Sequence, residues 1–230
     1  VTAFLAESDS NVKNLEALTK DPLDLKVFDD SNSVADNLLR GEAKYERDLN
    51  SEIFDLAYEL YGIKKYWHKR IVRSGVNTLK PYNSNPKNLI IEDEDILFID
   101  FGPIFDEWEA DFGRTYVIGN DKYKCKLKKD IESGWNDCKN FFESQSKISG
   151  AELYNYAVKS AEKYGWEFGG EIAGHLIGHF PHERLDNEDK RNYVHPQNHV
   201  DMFDPDKAGN RRDWILAVSY THLRAHETIA

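Results

Sequence analysis

Asp100 and Asp111 stand eleven residues apart, in Ile96-Leu-Phe-Ile-Asp-Phe-Gly102 and Ala110-Asp-Phe-Gly-Arg-Thr115, and each interrupts a strand-like run. A carboxylate at such a position is costly unless something positive meets it. If the two runs form a hairpin turning at Phe105-Asp106, Asp100 faces Asp111 directly, with Cβ atoms about 4.5–5.5 Å apart. Two like charges so placed repel each other, and either a shared proton or a bound divalent cation, or two cations, offsets that repulsion. The nearby Asp106, Glu107 and Glu109 read as a solvated turn.

A second cluster supplies nitrogen. Gly174-His-Leu-Ile-Gly-His-Phe-Pro-His-Glu183 packs His175, His179 and His182 into eight residues. Neutral imidazole is the commonest nitrogen ligand for transition metals, and Gly174 and Gly178 let the backbone pass close to a ligand. The cluster is not a zincin helix, because Asp186 stands where H-E-x-x-H needs its second histidine.

These groups need elements to hold them. Ile53, Leu56, Ala57 and Leu60 recur at helical spacing, so a helix is expected over 50–62 with Gly62 as its stop. Residues 67–73 read as a strand and 74–88 as a turn-rich segment. Residues 96–101 and 111–118 read as paired strands. A long amphipathic helix is expected over about 121–145. Another should start at Ser149, where Ser149-Gly-Ala-Glu152 has capping-box form, with Tyr154, Ala157, Val158 and Ala161 as its buried stripe. Trp214 to Val218 reads as a short final strand. The pattern is α+β, an antiparallel sheet with helices on one face.

At 230 residues the chain is long enough for one sizeable core. Its formal charge of −11 argues against sequence-independent nucleic-acid binding and against anionic membrane surfaces. No apolar run approaches a membrane span, and the first residues lack the form of a signal peptide. Cys125 and Cys138 make no disulfide framework, so a reduced, cytoplasmic setting is expected.

Taken in order, Asp100, Asp111, Gly174-His-Leu-Ile-Gly178 and the His182-Glu183 pair resemble the pita-bread metallopeptidases. This is the superfamily of methionine aminopeptidase, Xaa-Pro aminopeptidase and dipeptidase, and creatinase. Trp67-His-Lys-Arg-Ile-Val-Arg-Ser-Gly-Val-Asn-Thr78 also resembles its Xaa-Pro-peptidase-like branch. The resemblance implies a pita-bread domain over 47–218, preceded by a helical segment over 1–46. It implies that Asp100 binds one divalent ion, that Asp111 bridges two and that His175 binds the second. His182 would contact the scissile carbonyl as the catalytic histidine, and a hydroxide between the ions would be the nucleophile. Manganese, iron, cobalt and zinc all suit such mixed ligation. The substrate implied is a peptide, cut after its N-terminal residue; relatives often pair, so a homodimer stays open.

The chain also departs from that pattern. The family adds two glutamate ligands on late strands, and in the Xaa-Pro-like branch the first would stand at Ala217. Residues 219–230, beginning Ser219-Tyr-Thr-His-Leu-Arg, resemble a translated adaptor sequence and are expected to be a non-native tail. His222 and His226 within it then carry no meaning as metal ligands. This copy is therefore expected to bind metal weakly. His68 and His179 are candidates for substrate contact, although a strand histidine lying against its neighbours is the blander reading of His68. Two other functions remain: a metal-free creatinase-like C–N hydrolase, and a non-catalytic peptide- or partner-binding member of the fold.

Overall fold

The computed structural model describes residues 2–8, 44–105, 107–178, 190–206 and 208–222. The described residues form nine strands and three α-helices. They are β1 (Thr2–Ser8), α1 (Glu46–Tyr61), β2 (Ile71–Ser74), β3 (Ile96–Phe101), β4 (Ile104–Phe105), β5 (Trp108–Glu109) and β6 (Phe112–Val117). After these come α2 (Lys122–Glu143), α3 (Gly150–Lys163), β7 (Glu167–Phe168), β8 (Gly174–Ile177) and β9 (Asp213–Thr221).

A seven-stranded sheet runs β2-β3-β6-β1-β9-β7, with β8 also pairing β9, and every pairing is antiparallel. Strand alternation divides its faces. Leu97, Ile99 and Phe101 of β3 and Phe112 and Tyr116 of β6 pack with Leu49 of α1. Trp214, Val218 and Tyr220 of β9 pack with Leu127, Ile131 and Trp135 of α2 and with Leu153 and Ala157 of α3. The residues between them in each strand, Asp100 among them, turn to the opposite face. The helices thus cover one side of the sheet and leave the other to the polar cluster. Among the described residues no helix is long and apolar enough to cross a membrane.

The helices form where their sequence signals fall, with local differences. Helix α1 begins at Glu46 and ends on Gly62 in the left-handed region. Its buried side is set by Leu49 and Ala57, and Leu60, the last of the four periodic residues, is 51% exposed. Helix α3 has the reciprocal capping box, with Ser149 Oγ accepting from Glu152 N and Ser149 N donating to Glu152. Its buried residues include Ala151, Leu153, Ala157, Ser160 and Ala161, whereas Tyr154 and Val158 are only half-buried. Strand β2 is shorter than expected, starting at Ile71.

Two strands differ more. Residues 2–8 form β1 rather than helix, and the rest of the expected helical segment, residues 9–43, lies outside the described residues. Strand β9 continues to Thr221. Tyr220 is fully buried, donates to Ser160 Oγ at 3.1 Å, and lies against Gly134, where a Cβ would stand 1.8 Å from its hydroxyl.

Both cysteines are free thiols, Cys125 exposed and Cys138 buried. Burial, aided by the Asp137 charge, pushes the Cys138 thiol up to about 12. Its thiolate is therefore scarce at neutral pH. An aromatic disulfide reagent at pH 8 should titrate one thiol quickly in the folded chain. The second should react only with denaturant; two equally fast thiols would contradict this placement.

Candidate metal centre

Asp100 is carried by β3, and register places it opposite Gly113, not opposite Asp111. The short β4–β5 hairpin continues the β3–β6 register, with Phe105 opposite Trp108, so the turn lies one position later than expected. Partner numbers therefore shift by two, which keeps parity, and the two aspartates still share one face. Both are 9% exposed. A second correction concerns Glu109: it is 1% exposed, not part of a solvated turn, and its N–H donates to Gly178 O at 3.0 Å.

His175 reaches the pair from β8, where it lies opposite Ile215 of β9. Gly174 before it has φ +140°, and a Cβ there would meet Ile215 O at 1.9 Å. His175 Nε2 is 3.0 Å from Asp111 Oδ2.

His68 arrives from the other side. The segment before β2 crosses the end of β3: Trp67 N donates to Gly102 O at 2.9 Å and Ile104 N to Lys65 O at 3.0 Å. The Trp67 indole donates to Ala110 O at 2.7 Å, so one residue ties this crossing to the strand end next to Asp111. His68 Nε2 then lies 3.6 Å from Asp100 Oδ1 and 3.6 Å from Asp111 Oδ1. Gly102 makes room for it, since a Cβ there would stand 2.2 Å from His68 Cδ2.

Ring tautomers follow from the neighbours. His68 Nδ1 is 2.8 Å from Lys69 O, and His175 Nδ1 is 2.8 Å from Leu176 O. A carbonyl only accepts, so each Nδ1 carries the proton and donates. In the neutral ring each Nε2 then presents a lone pair to a carboxylate oxygen. Such lone pairs repel unless the ring takes a second proton or a cation sits between.

The electrostatics express the same conflict. Burial, then the Asp111 charge, pushes the Asp100 carboxyl up to about 7. Burial also pushes Asp111 upward, but its contacts with His175 and His68 outweigh that and hold it below the usual carboxylate range. Burial lowers both imidazoles, and their carboxylate neighbours more than reverse it, so both lie above the usual histidine value. Asp111 Oδ1 is buried without a hydrogen-bond partner among the described residues. An orphaned carboxylate oxygen at a junction of imidazole and carboxylate is what a hard-to-borderline cation would satisfy. The donor set therefore fits a divalent metal ion, and the described residues hold a candidate metal site of His68, Asp100 and Asp111 with ligand atoms within 4.8 Å of one another.

Of the residues singled out in the sequence, Asp100, Asp111, His175 and His68 come together. His179 and His182 lie outside the described residues, as does His226. His195 is half-buried, its Nδ1 accepting from Gln197 N at 3.0 Å, and His199 is exposed. Ala217 lies in β9 opposite Ala6, which in turn lies opposite Gly113. The row across the sheet from Asp100 is thus made of small residues. The position of His68 between both carboxylates was not legible: a histidine just before a strand carries no signal that the chain will cross a neighbouring strand end.

Residues 30–204 match the sequence profile of metallopeptidase family M24. No curated protein matches the chain in sequence. Among solved structures, the X-Pro aminopeptidase of Thermotoga maritima superposes with a TM-score of 0.62 at 17% identity, over 84% of this chain and 54% of that one. The Xaa-Pro dipeptidase of Bacillus anthracis gives 0.64 at 16% identity, over 94% and 57%. A methionine aminopeptidase of Thermotoga maritima gives 0.55 at 12% identity, over 77% and 80%. Identities this low speak for the fold alone, which is the pita-bread fold. The chain spans about half the length of the two Xaa-Pro peptidases.

Proposed function

The chain belongs to metallopeptidase family M24, whose profile covers residues 30–204, and on that premise we propose that it is the catalytic region of a metal-dependent exopeptidase of Xaa-Pro type. The observation that carries this reading is the convergence of Asp100, Asp111 and His175 on the open face of the sheet, with one Asp111 oxygen buried and unpartnered. The Xaa-Pro enzymes among its structural neighbours favour the prolyl substrate class.

Asp100, Asp111 and His175 would hold the metal, and two ions are the expected complement in the intact enzyme. When bound, a divalent ion lowers the pKa of water and polarises a carbonyl oxygen. The chain's own groups do the rest. Nδ1 of His175, held by Leu176 O, keeps the ring's other nitrogen turned inward. His182 is assigned to the scissile carbonyl, to donate a hydrogen bond as negative charge develops on its oxygen. The buried floor of the site strengthens each of these interactions by excluding water. Ala217 offers no ligand, so metal affinity in this chain should be low. The adaptor-like residues 219–230 are read as a non-native tail. Two reduced cysteines fit a cytoplasmic location.

The test is release of the N-terminal residue from Xaa-Pro dipeptides and from non-prolyl peptides, with manganese, cobalt, iron or zinc added in turn. Activity should need metal, favour prolyl substrates, and fall about 100-fold or more in kcat in His182→Ala. Full activity in excess chelator would favour the creatinase-like reading. Peptide binding without turnover in any metal would favour the non-catalytic one.

A further inference from the structure

The proposed ligand set of Asp100, Asp111 and His175 does not include His68, although it sits within 3.6 Å of both carboxylates at once. His68 Nε2 is 3.6 Å from Asp100 Oδ1 and 3.6 Å from Asp111 Oδ1. His175 meets the other oxygen of Asp111, Oδ2, at 3.0 Å. Asp111 therefore divides its two oxygens between two histidines. On the His68 side stand three donors, one imidazole nitrogen and two carboxylate oxygens. On the His175 side, only two donors are found among the described residues.

We propose that His68 is a metal ligand, and that it completes with Asp100 and Asp111 one ion position, beside the one that His175 shares with Asp111. The inference rests on reading the aspartate pair as a metal centre, but not on which peptide bond is cut. Four observations support it. The first is spacing: ligands about 2.0–2.2 Å from one ion lie about 3.0–3.5 Å apart at right or tetrahedral angles, and the two 3.6 Å separations need only a few tenths of an ångström of closure. The second is the orphan: the Asp111 oxygen without a partner is Oδ1, the one turned to His68. The third is ring orientation, because Lys69 O takes the Nδ1 proton and leaves Nε2 to ligate. The fourth is accommodation. Only a glycine at 102 leaves space for the ring, and Trp67 locks the crossing through Gly102 O and Ala110 O.

A histidine and two carboxylates make a borderline set suited to manganese, iron, cobalt or zinc. The site also makes sense of Ala217. Where no glutamate closes the shell from β9, an imidazole arriving from beyond the β2 edge of the sheet supplies a third donor. With only Asp111 Oδ2 and His175 on the far side, the His68 side should take the first ion and the other position should stay largely empty.

The test is titration calorimetry and cobalt absorption on the full chain, for wild type, His68→Ala, His68→Gln and His175→Ala. Gln keeps much of the side-chain bulk but has no imidazole lone pair, and serves if Ala does not fold. The expected result is one cobalt ion per wild-type chain and at least 30-fold weaker binding in both His68 variants. The d–d absorption of bound cobalt should change shape on loss of His68. One ion bound equally well without His68, but lost in His175→Ala, overturns the proposal and leaves the metallopeptidase reading standing. Two tight ions insensitive to His68 do the same. A wild-type chain that binds no metal at all overturns both.

Discussion

Asp100→Asn is expected to make the metal-free protein more stable while removing its metal site. Asp100 lies among buried neighbours, and burial followed by the Asp111 charge raises its carboxyl to about 7 from an ordinary 3.8. A carboxyl whose folded pKa is raised binds more protons folded than unfolded, so stability falls as pH rises through the interval between the two values. For this group the loss runs from about pH 4 to about pH 7 and is complete above it. At about 1.4 kcal/mol per pH unit, a rise from 3.8 to about 7 puts the penalty on metal-free protein at pH 8 on the order of 4 kcal/mol. Asparagine keeps the shape, never ionises, and can donate a hydrogen bond to Asp111. Denaturant unfolding with chelator present should therefore show Asp100→Asn more stable than wild type at pH 8, with the two converging below about pH 4. Adding manganese or cobalt at pH 8 should raise the wild-type midpoint by mass action and leave the variant where it was. Equal metal-free stabilities at pH 8, or a metal-induced rise in the variant, would contradict this account of the carboxylate pair.

Gly174→Ala should cost far more stability than Gly62→Ala, although both positions have positive φ. Two effects coincide at Gly174. Its φ of +140° is one that L side chains rarely adopt, and the added Cβ would fall 1.9 Å from a backbone oxygen, Ile215 O. That oxygen belongs to β9, which pairs with both β1 and β8, so it cannot retreat alone. A loss of at least about 3 kcal/mol is expected, large even for a core substitution. In any molecules that fold, His175 should be displaced from Asp111. Gly62→Ala is the control. Its φ is +68° but nothing lies within 4 Å of the new Cβ, so the cost should stay near 1 kcal/mol. Thermal or urea unfolding of the two variants decides it: similar losses would mean that φ, not the collision with β9, controls the site.

The sequence was most legible where local chemistry decides. The Ser149 capping box and the Gly62 stop are local rules, and both appear at those residues. The shared face of Asp100 and Asp111 was legible because side-chain parity survives a register shift of two. Their direct opposition was not, because it depended on where a turn sits, and the β4–β5 hairpin moved it. Leu60 belongs to the periodic apolar stripe that predicts α1 yet is exposed, because periodicity tells which face of a helix is apolar, not how far along that face the core extends. Glu109 was misread as solvated because charge predicts exposure only on average. Strand β1 had little readable signal: Thr-Ala-Phe-Leu-Ala-Glu-Ser shows no clean alternation, and the turn-forming Asp9-Ser-Asn11 after it does not by itself tell strand from helix. His68 is the instructive case for the site. Its role depends on a crossing between distant segments, fixed by Trp67 to Gly102 and Ala110, and no local pattern encodes such a crossing.

The position of β1 bears on how the protein comes into being. It lies between β6 and β9, and Thr2 pairs with Thr221, so the first described strand closes on the last. On a ribosome, β2, β3 and β6 can pair as they emerge, but the β1 seam cannot be sealed until β9, which already pairs with β1 through residues 215–218, is free. At about 5–20 residues per second, the interval between synthesis of β6 and of the end of β9 is roughly 5–20 s. For that time β1 can be held on one side only. The nascent chain therefore passes through a half-open sheet, and this is the stage at which chaperone binding, or pairing with a neighbouring nascent chain, competes with its own folding.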